Sequence, residues 1–556
     1  MKSWLGITWG ISNRFGWGVY GLNLVLECLR RGAPTPICFA DIVTEHMPAD
    51  VVQTLRPVID FREQNLQHMF RMSQVAKVQD STILHALGNG MEWSLMSQSF
   101  EGDVNIGVVF FEFNEITAAG HDRISRLDGM IAGSSWNADV LNGWGVKNVR
   151  TVLQGVNTAI FRPMAPTGKY KDKFAVFSGG KLDYRKGQDI VLQAFKEFSR
   201  RHDDAILVTA WQNLWPLTAI GFAHSSHGPM PKVLADDTLN IKDWAAAHGV
   251  QPDKFVDLGM VPNEQMPDIL RDMDLAVFPN RCEGGTNLVA METMACGVPC
   301  ILSNNTGHKD LIGDDRCFVL ETQDTVHFPG VSVDGWGESS VDELVARMEE
   351  AYAAKDAAKR IGEKGAAFMS GLSWENQIGV LLSTIEELEQ IKQSISSNPT
   401  AAEPYFVLAV IAFRAGDEAQ AIEMAETAHQ IDPDTREYAQ ILGAILARVG
   451  RLADGAYYSK LAEINEPHIF LSTVVPEGLI DFQTAAEAIR PSGHGVESAR
   501  RFNVGDFETA LREAMIEVRI NTGDASAYLL VAKAALVLGR YGRALGAAQA
   551  AVRLDP

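Results

Sequence analysis

The chain has 556 residues, of which 46% are hydrophobic and 21% charged, and its formal net charge is −21. That length exceeds what one hydrophobic core organises and sets a prior of three domains in a soluble globular protein. The acidic balance argues against nucleic acid as the main partner, and no stretch approaches the roughly 18 continuous apolar residues of a membrane-spanning helix. The start, Met1-Lys-Ser-Trp-Leu-Gly-Ile-Thr-Trp-Gly10, reads as a strand entering a glycine loop, without the apolar core and cleavage site of a signal peptide. Six scattered cysteines (28, 38, 282, 296, 300 and 317) contain no CxxC pair and suit a reducing cytosol. Cys296 and Cys300 flank a helix end and read as buried thiols rather than metal ligands. The expected location is cytoplasmic.

Residues 1–165 alternate strand-like and helix-like runs. Gly6-Ile-Thr-Trp is followed by the turn Asn13-Arg-Phe-Gly16-Trp-Gly18-Val-Tyr-Gly21 and a helix ending at Arg30-Arg-Gly32, and later strands are Thr82–Leu87, Ile106–Glu112 and Gly129–Ala132. This alternation predicts a doubly wound α/β domain. Gly16 and Gly18 occupy the first strand-to-helix turn, where backbone can approach an anion or an acceptor. His85, before Gly88-Asn-Gly90, and Glu112 sit at strand ends and would face a cleft, as candidates for orienting or deprotonating an acceptor hydroxyl. The run Val152–Pro163 carries turn residues and reads as an interdomain hinge.

A second α/β set spans residues 166–390, with strands at Phe174–Ser178, Ala205–Ala210, Phe255–Leu258, Leu275–Phe278 and Pro299–Ser303. Two such lobes place a ligand at the carboxyl ends of their strands. The first strand runs into Gly179-Gly180-Lys181-Leu-Asp-Tyr-Arg185-Lys186-Gly187, cations at a strand end and helix start that suit phosphates. After Leu275–Phe278 comes Pro279-Asn-Arg-Cys-Glu283-Gly284-Gly285-Thr286-Asn287-Leu288-Val-Ala-Met-Glu292-Thr-Met-Ala-Cys-Gly297-Val-Pro299. A glycine-bearing loop entering a helix, capped by Thr286 or Asn287 and stopped by Gly297 and Pro299, is an anion site. The carboxylates bracketing it, Glu283 and Glu292, suit hydroxyls. Phosphate plus polyol on one ligand suggests a sugar nucleotide.

From about residue 400 the pattern changes. Pro399, Pro433 and Pro467 are 34 residues apart, the tetratricopeptide period. Tyr405, Leu408, Ala409, Gly416, Ala421, Ala425 and Ala428 fall at that motif's packing positions, as do Leu442, Gly443, Gly450, Gly455 and Ala462 one period on. After an irregular break at 468–490, Gly505, Ala510 and Ala514 continue, and Tyr528 to Ala551 complete a further unit before Pro556. Residues 391–556 are therefore expected to form an all-α repeat solenoid whose surface holds a protein partner.

The stretch 279–299 resembles the donor-site signature of retaining GT-B-fold glycosyltransferases of family 4 type, the glycosyl transferases group 1. The resemblance implies two Rossmann-like lobes: 1–165 on the acceptor side, and 166–390 carrying the sugar-nucleotide site and a terminal helix from Leu372-Ser-Trp374 that crosses back to the first lobe. It implies that Glu283 lies near the donor sugar, Glu292 near the ribose hydroxyls, and the amides of Gly284, Gly285, Thr286, Asn287 and Leu288 on the diphosphate. Lys181, Arg185 and Lys186 resemble the family's basic element, with Lys181 where an Arg is usual. Gly18 becomes a further phosphate contact, and Asn305–Asp310 closes the donor pocket. The family also implies retention, with the leaving diphosphate helping to take the acceptor's proton. Eight residues separate Glu283 from Glu292, one more than the family carries, and the extra residue falls in the phosphate turn.

The sequence thus reads as a glycosyltransferase, hexosyl in type, moving a sugar from a nucleotide-sugar donor to a protein or polysaccharide acceptor recruited by the repeats. Charge is expected to be neutralised by lysines and the helix start, without metal or other cofactor. The competing reading is a catalytically inactive nucleotide-binding scaffold that assembles a complex through its repeats. Sugar, base, acceptor and oligomeric state are not specified by these residues.

Overall fold

The computed structural model describes residues 1–463 apart from 70–74, 213–214, 235–237, 314, 329, 398–401, 416 and 434. The predicted repeat positions at Pro399, Gly416, Pro467 and beyond lie outside the described residues. The chain divides into two compact units with the boundary between Glu389 and Gln390.

The first unit contains both α/β lobes. The first lobe is a sheet of β1 (Trp4–Ile7), β2 (Thr35–Cys38), β3 (Ala76–Leu87), β4 (Phe100–Val109), β5 (Gly129–Ala132) and β6 (Val149–Thr151), ordered β2-β1-β3-β4-β5-β6. The second comprises β7 (Phe174–Gly179), β8 (Ala205–Ala210), β9 (Phe255–Asp257), β10 (Leu275–Phe278), β11 (Cys300–Ser303) and β12 (Phe318–Leu320), ordered β12-β11-β10-β7-β8-β9. Every neighbouring pair in both sheets is parallel. Parallel pairing demands crossovers that cover both faces, so the strands are near-continuous apolar runs such as Phe174-Ala-Val-Phe and Leu275-Ala-Val-Phe, fully buried. A short antiparallel ribbon, β13 (Gln323–Thr325) with β14 (Gly337–Ser339), follows the second sheet.

The lobes are joined twice. Val156 N–H donates to the Leu372 carbonyl at 2.9 Å and Trp374 N–H to the Val156 carbonyl at 3.1 Å, so the outgoing hinge and the returning chain run side by side. Gly155 is required there, because a Cβ would stand 2.6 Å from the Trp374 Cα. The helix Trp374–Ser397 then lies against the first lobe, where Glu389 accepts the Lys2 N–H at 2.8 Å and Glu387 pairs with Arg150 at 2.8 Å.

In the second unit the helices Glu403–Ala415, Glu418–Ile431, Arg436–Arg448 and Leu452–Glu463 follow one another. The second members of the two pairs begin at Glu418 and Leu452, 34 residues apart. Leu408, Ala409, Ala421, Ala425, Ala428 and Leu442 are buried. Gly443 and Gly455 lie opposite each other, and a Cβ on Gly455 would meet the Gly443 carbonyl oxygen at 2.9 Å.

Candidate functional site

The ends of β7 and β10 form one hydrogen-bonded floor. Arg281 N–H and Cys282 N–H both donate to the Arg185 carbonyl, at 2.7 and 3.2 Å. Gly187, at φ 67°, must lack a side chain because a Cβ would sit 2.2 Å from the Pro279 carbonyl oxygen. Beneath this floor Arg281 is fully buried, donating to Asp189 at 2.9 and 2.8 Å, to the Tyr184 carbonyl at 2.6 Å and to Glu338, with its guanidinium 3.9 Å from the Tyr184 ring centre. A buried guanidinium persists only when its donors are occupied. This brace was not among the sequence-predicted features.

On the floor stands Glu283. Its carboxylate accepts from Arg185 at 3.1 Å, and from Lys186 Nζ and Asn280 Nδ2. Burial alone would favour the neutral acid, but Lys186 and Arg185 outweigh it and hold the carboxyl down to about 2. Burial pulls the Lys186 ammonium below its usual range against the attraction of Glu283. Arg185 also pairs with Glu112 of the first lobe at 3.2 Å, which joins the two carboxylates through one guanidinium. Lys181 is partly exposed and 3.2 Å from Asp183.

Gly284 and Gly285 carry the chain from Glu283 to the helix Leu288–Ala295. A side chain on Gly284 would lie 2.3 Å from the Phe110 carbonyl oxygen. Asn287, not Thr286, caps that helix: its side chain accepts the Ala290 N–H at 3.4 Å from a left-handed backbone, φ 64°. Thr286 is buried and turned away, donating to the Met291 sulfur at 3.0 Å. Glu292 is buried on the second turn and accepts from Asn263 Nδ2 at 2.8 Å. Burial pushes its carboxyl up to about 7, opposed by that hydrogen bond.

The first lobe supplies the facing wall. The helix Gly16–Arg31 begins after Phe15, a residue with no side-chain oxygen to cap it, and Gly16 lines the cleft. Gly18 does not line it: it packs on the preceding loop, where a Cβ would stand 2.7 Å from the Ser12 Cβ. His85 is not brought to the cleft either. It lies inside β3, which continues to Leu87, buried with Nε2 on the Asn105 Oδ1 at 3.0 Å, and burial holds the imidazole below its usual range. Glu112 does line the cleft, three residues beyond the end of β4, with Asn89 Nδ2 on its other oxygen at 3.2 Å.

These groups enclose a cavity of about 550 Å³ that brings together Gly16, Glu112, Lys181, Arg185, Lys186, Glu283, Gly284, Gly285, Asn287, Leu288 and Glu292. That volume suits a small ligand with several polar anchors. The lobes meet tightly around it. Ser134 Oγ donates to the Gly284 carbonyl at 2.7 Å and Ser135 N–H to Asp310 at 2.8 Å. The loop between β13 and β14 clasps the first lobe just past Glu112. There Trp336 Nε1–H donates to the Glu112 carbonyl at 2.8 Å, and Asp334 N–H and Ser332 Oγ donate to Asn114 Oδ1 at 3.2 and 2.8 Å. Phe113 stacks on Trp336 with ring centres 5.5 Å apart.

Residues 162–368 match the family model described as Glycosyl transferases group 1, so a domain of that kind occupies the second lobe. No curated protein matches the chain in sequence. Among solved structures, a sucrose-phosphate synthase from Thermosynechococcus elongatus is similar at 14% identity, over 70% of this chain and 100% of that one, with TM-score 0.47. A glycosyltransferase from Rickettsia africae ESF-5 is similar at 12% identity over 70% and 98%, TM-score 0.47. Anabaena HepE in complex with UDP is similar at 13% identity over 70% and 100%, TM-score 0.45.

Proposed function

We propose that the chain is a retaining glycosyltransferase of GT-B type that transfers a hexose from a nucleotide-sugar donor to a protein or polysaccharide acceptor. The observation that carries the reading is the meeting, in one cavity, of three cationic side chains, a capped helix start and two carboxylates of opposite protonation tendency. In this reading Glu292 binds the ribose hydroxyls, while Lys181, Lys186 and the amides from Gly284 to Leu288 bind the diphosphate. Glu283, ionised and fixed by two cations, lies beside the donor sugar and stabilises positive charge at its anomeric carbon. Glu112, the first lobe's acidic group in the cleft, orients the acceptor hydroxyl. The bond from anomeric carbon to phosphate oxygen breaks, the acceptor oxygen bonds to the same face, and the acceptor proton passes to the departing phosphate. The helix pairs from Glu403 to Glu463 and their 34-residue offset support a tetratricopeptide solenoid that recruits the acceptor or a protein partner.

A panel of nucleotide sugars, with released nucleoside diphosphate followed by mass spectrometry, tests this directly. Slow hydrolysis of one donor without acceptor, and faster release with it, is expected. Binding without turnover of any donor would favour the inactive scaffold, a reading to which the mutual neutralisation of Glu283, Lys186 and Arg185 lends some weight.

A further inference from the structure

Two non-glycine residues beside Glu283 hold left-handed backbone, Asn287 at φ 64° and Thr306 at φ 36°. Such conformations persist where surrounding contacts over-determine them, and they concentrate at functional sites. Here the contacts are traceable. Asn287 Oδ1 accepts the Ala290 N–H, which fixes the carboxamide so that Nδ2 faces His308 Nε2 at 3.0 Å. A carboxamide nitrogen only donates, so His308 Nε2 accepts and the ring proton sits on Nδ1, 3.0 Å from Ser303 Oγ. The Ser303 hydroxyl donates in turn to the Asn280 carbonyl at 2.7 Å, and the Asn280 side chain donates to Glu283. The loop returns through Thr306, whose hydroxyl accepts the Glu283 N–H at 2.8 Å, and Gly307, whose N–H donates to the Glu283 carbonyl at 3.0 Å. Gly307 tolerates no side chain, because a Cβ would fall 1.8 Å from the Gly285 carbonyl oxygen.

We propose that His308 is a positioning residue for the donor diphosphate. It holds Asn287 in its left-handed cap, so that the turn after Gly285 presents the amides entering Leu288 and Val289 to the cleft. Through Ser303 and Asn280 it locks that helix start to Glu283. The inference rests on the function proposed above. His308 is fully buried, and burial keeps its imidazole neutral, down at about 4, so its acceptor nitrogen remains available at working pH.

The test uses the full chain and compares nucleoside diphosphates (UDP, GDP and ADP) with the corresponding nucleosides, by calorimetry for the former and ligand-observed NMR for the latter. His308→Ala should weaken the diphosphate that binds by roughly tenfold, the effect of one lost buried hydrogen bond, and leave the nucleoside unchanged. His308→Gln, which again offers one acceptor and one donor, should restore most of the loss. Should the alanine variant fail to fold, Asn287→Gly removes the cap amide while suiting the left-handed backbone, and it too should lose diphosphate affinity selectively. Equal loss of nucleoside and diphosphate, or no loss of either, overturns the positioning role. Failure of the unaltered chain to bind any of the three diphosphates overturns the functional reading itself, and the inference with it.

Discussion

On the role proposed for Glu292, fold stability and nucleotide affinity pull in opposite directions, and replacing it with Gln separates them. The carboxyl is 8% exposed, and its one direct hydrogen bond, from Asn263, does not compensate the loss of water: burial raises it from 4.5 to about 7. A folded-state value above the unfolded one means that folding favours the protonated acid. The contribution to stability is therefore complete below pH 4.5 and is lost as pH rises through 7. At 1.36 kcal/mol per unit the interval amounts to about 3 kcal/mol. Gln is neutral at every pH and keeps an oxygen for Asn263. Glu292→Gln should thus match the unaltered chain near pH 5 and exceed it by up to about 3 kcal/mol at pH 8, read as the midpoint of denaturant unfolding at each pH. On the proposed role the same change removes a charge-assisted acceptor for ribose hydroxyls, and should cost roughly 1.5–3 kcal/mol, on the order of tenfold to a hundredfold in nucleoside diphosphate affinity by calorimetry. Affinity of the unaltered chain should also fall below pH 7, where binding must first expel a proton, and the Gln variant should lose that dependence. A variant no more stable at pH 8, or one that binds the diphosphate as tightly as before, would refute the argument.

Lys186→Ala should weaken diphosphate binding and also destabilise the fold, because it strips a partner from buried Glu283; Lys181→Ala should weaken binding with little change in stability, and EDTA should alter neither result. Trp336→Phe keeps the stack on Phe113 but loses the hydrogen bond to the Glu112 carbonyl. It should slow transfer to acceptor while diphosphate affinity stays unchanged, and an equal loss of both would rule out a specific effect on the acceptor side. A chain ending at residue 395 retains every cleft-lining residue. It should bind nucleotide and hydrolyse donor slowly but lose transfer to a large acceptor, and undiminished transfer would remove the docking role from the repeats.

The long central strands were legible because parallel strands buried on both faces are unbroken apolar runs, as in Phe174–Ser178 and Leu275–Phe278. The short edge strands β2 and β6 were not, since four residues with a proline at Pro36, or three at Val149–Thr151, carry too little pattern. In the site, the residues that sequence reasoning brought together are those whose chemistry is local: a Glu, two glycines and a helix start within ten positions, or three cations on one turn. What it missed depends on partners far along the chain. Arg281 reads as one more basic loop residue, until Asp189 and Glu338 arrive from other elements to bury it. His308 reads as part of a pocket-closing turn, and nothing near it in sequence announces Asn287 as its partner. His85 fails for the converse reason: a histidine near the end of its strand looks available until β4 pairs alongside and sets Asn105 against its ring in the sheet interior. A cleft residue is thus readable when its role follows from its own backbone position, and unreadable when the role is assigned by whatever packs behind it. The extra residue before Glu292 belongs to both kinds. The spacing was countable, but the left-handed backbone of Asn287 could be found only by seeing what holds it in place.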